Sequence, residues 1–146
     1  MKPYTGKKIC FVVAVLLCCA FLLEQYVVFR MNPYPCEDAY ITYRFSENLA
    51  RGNGPVFNPG ERVEGYSNPL WMTLISIAFK SGADMADFSR AAGFFFNLLS
   101  FILVWLIPLR FFRVSRASSF AAPVLYMLFL PVHFHATSGL ETSLYT

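Results

Sequence analysis

Residues 9–29 read ICFVVAVLLCCAFLLEQYVVF, apolar throughout except for Glu24 and Gln25. No other stretch constrains the fold as strongly. About 20 apolar residues cross a hydrocarbon core of roughly 30 Å, and a helix satisfies its own backbone there. The run therefore predicts a transmembrane helix. Lys2, Lys7 and Lys8 precede it, which predicts a cytoplasmic N-terminus. A secretory signal peptide would look similar over residues 7–20. However, the apolar character continues past that point and no small-residue cleavage site follows, so a retained span is the reading. Glu24 falls near the far end, where a carboxylate reaches the interface.

Two further runs repeat the pattern. Residues 91–109 (AAGFFFNLLSFILVWLIPL) carry no charge, and Arg110, Arg113 and Arg116 follow with no acid among them. Residues 117–135 form a third apolar run, with Pro123 and Pro131 placed to kink or bound it. Basic residues mark cytoplasmic ends. The three orientations then agree, and residues 30–90 fall outside. The expected class is an all-α integral membrane protein, multi-pass in the cytoplasmic (inner) membrane, with about three transmembrane helices and a long outer loop. Composition supports lipid contact: 56% of the 146 residues are hydrophobic and only 14% are charged, against about a quarter charged in a soluble domain. The net charge is +3, and no basic run interleaves with aromatics, which argues against a nucleic-acid partner.

The loop has a pattern of its own. Residues 37–50 read as an amphipathic helix, with Glu37 and Asp38 suited to the positive end of its dipole and Ile41, Phe45 and Leu49 as an apolar stripe. Gly52-Asn53-Gly54 stops it, and Asn58-Pro59-Gly60-Glu61 is a type II turn signal. Residues 69–80 are apolar but too short to span. Leu70, Trp71, Leu74, Ile75 and Ala78 share a helical face, which predicts an interfacial helix with Trp71 at headgroup depth. Residues 139–146 look like the start of another element. Three spans and one loop enclose little volume, so the N-terminal part of a larger membrane protein is expected.

The cysteines Cys10, Cys18, Cys19 and Cys36 offer no CxxC pair and no metal-ligand spacing. His133 and His135 flank Phe134 without a ligand set and read as interfacial. Neither a disulfide framework nor a metal site is inferred.

Chemistry gathers in the loop, where Glu37, Asp38, Arg44, Glu64, Tyr66 and Asn68 stand near a membrane surface. A carboxylate there suits deprotonation of an acceptor hydroxyl, an arginine suits a phosphate, and aromatic rings suit a sugar face. A lipid-linked phosphosugar needs all three at one depth. Spacing alone leaves open a set of solvated loop residues.

The stretch EDAYITYRFSENLARGNGPVFNPGERVEGYSNPLW, Glu37 to Trp71, resembles the first outer loop of the GT-C superfamily of polytopic membrane glycosyltransferases. The likeness is greatest to the branch holding cell-wall arabinofuranosyltransferases and mannosyltransferase-like proteins. That branch has a two-acid motif followed by Ala, an aromatic and Ile, then a glycine-bounded FNPGERVEG segment and a tryptophan. Ser138-Gly139-Leu140-Glu141-Thr142 resembles its next acidic turn. The resemblance implies transfer of a sugar from a polyprenyl-phosphate donor to a glycan or lipid acceptor of the cell envelope, on the non-cytoplasmic face, with inversion and an acidic base. It implies Asp38 as that base, Glu37 in support, and Arg44, Glu64, Tyr66, Asn68 and Glu141 on substrate. Here Glu37 stands where the family has Asp. Phosphate charge is offset either by arginine or by a divalent cation such as Mg or Mn; the sequence does not choose. The competing reading is a non-catalytic polytopic protein or assembly partner that retains this loop. A transporter fragment is disfavoured by spans two and three, which lack charge.

Overall fold

The computed structural model describes residues 3–61, 63, 65–112, 114, 115 and 117–145, with side chains from Lys7 onward. All regular structure among them is helical. In chain order the helices are α1 (Pro3–Met31), α2 (Glu37–Ala50), α3 (Pro69–Lys80), α4 (Met85–Phe111), α5 (Ala121–Leu128), α6 (Leu130–Thr137) and α7 (Thr142–Tyr145), with a 3-10 turn at Ser118–Phe120 before α5.

Two helices are long and apolar enough to cross a membrane: the 25 residues Lys7–Met31 of α1 and the 27 residues of α4. At 1.5 Å per residue these run about 37 and 40 Å. The third expected span is broken, since Ser118–Leu128 and Leu130–Thr137 meet at 58°. Phe129 leaves the helical region with φ −90° and ψ 70°. Pro131, in the first turn of α6, cannot donate back to the preceding turn. α4 also begins earlier than residue 91, because Asp84 caps it by accepting from the Asp87 N–H at 3.0 Å.

α1 and α4 run antiparallel, and α6 lies between them. Phe21 of α1 stacks on Phe101 of α4 with centroids 4.3 Å apart. Gly93 sets the approach of α4 to α6: a Cβ there would strike the Ala136 carbonyl oxygen. Beyond that contact a polar knot ties α1, α4, α5 and α6. Asn97 Nδ2 donates to Gln25 Oε1 at 2.8 Å, and Gln25 Nε2 donates to His133 Nδ1 at 2.9 Å. Because Nδ1 accepts, Nε2 carries the proton and donates to the Tyr126 carbonyl at 3.1 Å across the helix break. Gln25, Asn97 and His133 are all fully buried. His133 is therefore not interfacial, as its sequence neighbours suggested. An unpaired amide or ring nitrogen in hydrocarbon costs several kcal/mol, roughly, and the knot removes that cost.

α2 and α3 form a second layer at the end of the bundle where α1 finishes and α4 starts. Its core is Ala39, Tyr43, Trp71 and Ile75, against which Phe88, Phe96, Leu140 and Leu144 pack. Burying Trp71 and Ile75 contributes roughly 1.5–3 kcal/mol each. Trp71 is thus a core residue and not a headgroup anchor, while Leu70 on the same expected face is 53% exposed. The buried side of α2 keeps Phe45 of the expected stripe, with Leu49 half-buried, but Ile41 is exposed, and Ala39, Thr42, Tyr43 and Ser46 are buried beside Phe45. Small polar residues allow α3 to come close. Ser46 Oγ reaches both the Thr42 carbonyl of its own helix (2.8 Å) and the Met72 carbonyl of α3 (3.0 Å).

Candidate active site

The first turn of α2 carries Glu37 and Asp38, both exposed. Its N-cap, Cys36, makes no side-chain cap, so the acids themselves face the uncapped amides of that turn. The Cys36 N–H donates to the Ser138 carbonyl at 2.9 Å. That bond seats the Ser138–Thr142 turn on the start of α2, although the two lie a hundred residues apart, roughly, in sequence.

Gly139 makes the seat possible. Its φ is +85°, and a Cβ would collide with the Tyr43 hydroxyl and press on Ala39 and Pro35. Its carbonyl accepts from Trp71 Nε1 at 3.1 Å. The turn is therefore held from α2 on one side and α3 on the other. Glu141 follows two residues on, half-buried.

Asn68 joins the three segments. It precedes α3, is only 4% exposed, and its Nδ2 donates to Glu141 Oε2 at 2.8 Å and to Thr42 Oγ1 at 3.3 Å. Its Oδ1 is buried with no partner. Thr42 lies four residues after Asp38, so both project from one face of α2, one turn apart. Asp38 thereby shares a helix row with Thr42, which accepts from Asn68. Glu37 shares its row with exposed Ile41 instead.

The remaining sequence candidates fall elsewhere. Arg44 Nε donates to the Phe57 carbonyl at 3.0 Å, and its Nη1 lies 3.4 Å from Glu47 Oε2. Glu47 also pairs with Arg51 at 2.6 Å. These contacts tie down the loop after α2. Tyr66 packs edge-on against Phe45 at 5.4 Å, with Phe57 on the same ring at 5.7 Å. Glu64 lies outside the described residues. Among the described residues no three His, Cys, Asp or Glu side chains converge as a metal cradle.

Tyr43, beneath the site, donates to Ser89 Oγ at 2.6 Å, because Ser89 spends its own proton on the Ala86 carbonyl. Burial pushes its phenol up to about 12.

Comparison with known proteins bears on this arrangement. No family model matches the chain, and no solved structure does. Over 115 residues it is 36% identical to a terminal β-(1→2)-arabinofuranosyltransferase of Mycobacterium tuberculosis, covering 74% of this chain and 18% of the relative. A protein of the same description from Corynebacterium glutamicum is 34% identical over 110 residues, covering 74% and 16%. The chain is homologous to part of the terminal β-(1→2)-arabinofuranosyltransferases. It spans less than a fifth of the length of these relatives.

Against that homology, two residues stand out that the sequence did not single out. Thr42 sits inside a two-acid motif and looks like filler, yet it receives the Asn68 amide. Arg90 looks like the polar edge of a span, yet it is buried beneath the site and bonded to four carbonyls. Its signal was available: a lone arginine flanked by AAGFFF is costly to bury and so has a partner.

Proposed function

We propose that this chain carries the acid-bearing region of a polyprenyl-phosphate-dependent membrane glycosyltransferase. It acts on the non-cytoplasmic face, on a glycan or lipid acceptor of the cell envelope. An arabinofuranosyl donor is the first to test, because both relatives are named for that sugar. The observation that carries the reading is the Asn68 junction. It draws the EDAYIT, YSN and SGLET segments into one place beside a membrane span, and loop filler would have no cause to converge so.

The chemistry follows from the positions. The donor's anomeric carbon is bonded to a phosphate oxygen, and polyprenyl phosphate is a good leaving group. Asp38 takes the proton of the acceptor hydroxyl as its oxygen bonds the anomeric carbon from the face opposite the phosphate. The carbon–phosphate-oxygen bond breaks, phosphate leaves with the electron pair, and the configuration inverts. General-base help of this kind contributes about 10²–10⁴-fold. Glu141, fixed by Asn68, stands as a hydrogen-bond acceptor for sugar hydroxyls. Arg44 is bound to Phe57 and Glu47 at rest and reaches phosphate only by giving up those exposed, weak contacts.

The test is Asp38→Asn in the intact membrane protein, with insertion checked by fractionation. Transfer is expected to fall at least about 10²-fold with unchanged insertion. Unchanged transfer would overturn the assignment of Asp38 as the base.

A further inference from the structure

We infer that Arg90 is a positioning residue for this site: it holds the two segments that carry Asp38 and Glu141 in register. The inference rests on the proposed function of that site. Arg90 lies in the second turn of α4 and is 8% exposed. Its Nε donates to the Thr137 carbonyl at 3.1 Å. Its Nη1 donates to the Pro33 carbonyl at 2.8 Å, and its Nη2 to the carbonyls of Asn32 at 2.6 Å and Phe29 at 3.4 Å. The guanidinium carbon lies 3.9 Å from the centre of the Phe29 ring. Among the described residues it pairs with no carboxylate.

Those carbonyls belong to two chain segments and to no other. Phe29 lies in the last turn of α1, and Asn32 and Pro33 lead from it to Cys36 and Asp38. Thr137 is the last residue of α6, and the Ser138–Glu141 turn begins at the next position. Each segment leaves a helix C-terminus, where the exposed carbonyls amount to roughly half a negative charge. Two such ends facing one guanidinium supply about the charge that a carboxylate would otherwise supply. This accounts for a buried cation with neutral partners only. It also explains why the residue is arginine. The planar fork presents five N–H donors in fixed directions and so reaches both segments at once, whereas a lysine ammonium is a point charge with three.

The consequence is geometric. Arg90 touches neither candidate acid. It fixes the points from which both approach the active site, and a shift of about 1 Å in such a site costs about 10²-fold in rate. A plain folding staple would act differently, reducing the amount of folded protein and leaving turnover per folded molecule intact.

Cys36 provides a direct probe of register, because its N–H is bonded to Ser138. In the full-length protein with Cys10, Cys18 and Cys19 replaced by alanine and S138C introduced, oxidation should join Cys36 to position 138. Arg90→Gln and Arg90→Lys are then compared with Arg90 for cross-link yield. Separately, in the native Ser138 background, turnover is measured per monodisperse, folded molecule. Yield is expected to fall several-fold in Arg90→Gln and less in Arg90→Lys. The turnover number should fall by about 10–10²-fold with KM for donor little changed. If Arg90→Gln does not fold, Arg90→Lys alone decides. Cross-linking unchanged from Arg90 overturns the inference, and so does lost cross-linking with turnover per folded molecule unchanged. Cross-linking needs no sugar transfer, so its outcome stands apart from the fate of Asp38 as base.

Discussion

At the residue scale the site rests on small, specific contacts. Tyr43 illustrates how much one hydroxyl carries. It donates to Ser89 under α2 and closes over Gly139. Tyr43→Phe keeps the ring and is expected to cost about 1 kcal/mol, read as a lowered melting temperature in detergent. The same phenol gives a pH dependence. Its ordinary value near 10 is raised to about 12 by burial. A raised value means the folded state favours the neutral form, so this stabilisation is complete below pH 10 and is lost as pH rises from 10 towards 12. Melting curves of the native protein should weaken over that window, and those of Tyr43→Phe should weaken less. The two-acid motif and SGLET were legible because they are chemical words in sequence. Thr42 and Arg90 were not, since their partners are backbone and amide groups supplied by distant segments. Asn68 was legible as a motif member, and the structure adds what it bonds.

At the element scale, the spans and both loop helices could be read from apolar length, helical spacing and the Gly and Pro stops. The Asn58–Glu61 turn also closes as expected, with the Glu61 N–H on the Asn58 carbonyl at 3.1 Å. Which face each helix buries could not be read. Period 3.6 identifies an apolar stripe, and Phe45 of that stripe is buried, but α2 also buries Ala39, Thr42, Tyr43 and Ser46 beside it and leaves Ile41 exposed. The break at Phe129 was half legible: Pro131 marks it, but neither its 58° bend nor the His133 contacts to Gln25 and Asn97 beside it can be read from sequence. Gly93 tests this level. Gly93→Ala places a methyl against the Ala136 carbonyl, and overpacking of that kind costs about 1–3 kcal/mol. The expected result is a lower melting temperature and a displaced SGLET turn, seen as weaker Cys36 cross-linking to S138C.

At the scale of the whole molecule, a polar-knotted helical bundle carries a small second layer at one end, and the candidate acids lie where the two meet. The basic residues favour placing that end outside the cytoplasm. Cys36 reports on this directly. A membrane-impermeant maleimide should label it in spheroplasts, in protein whose Cys10, Cys18 and Cys19 are alanine; labelling only after the inner face is opened would invert the topology. The most direct measurement of the central claim compares two neighbours on one helix turn. Initial rates of sugar transfer are recorded for Asp38→Asn and Glu37→Gln, at matched levels of inserted full-length protein. Asp38 shares its row with Thr42, which accepts from Asn68, so Asp38→Asn should lose about 10²-fold or more while Glu37→Gln keeps most of the native rate. Equal losses, or a greater loss at Glu37, would contradict the assignment of Asp38 as the base.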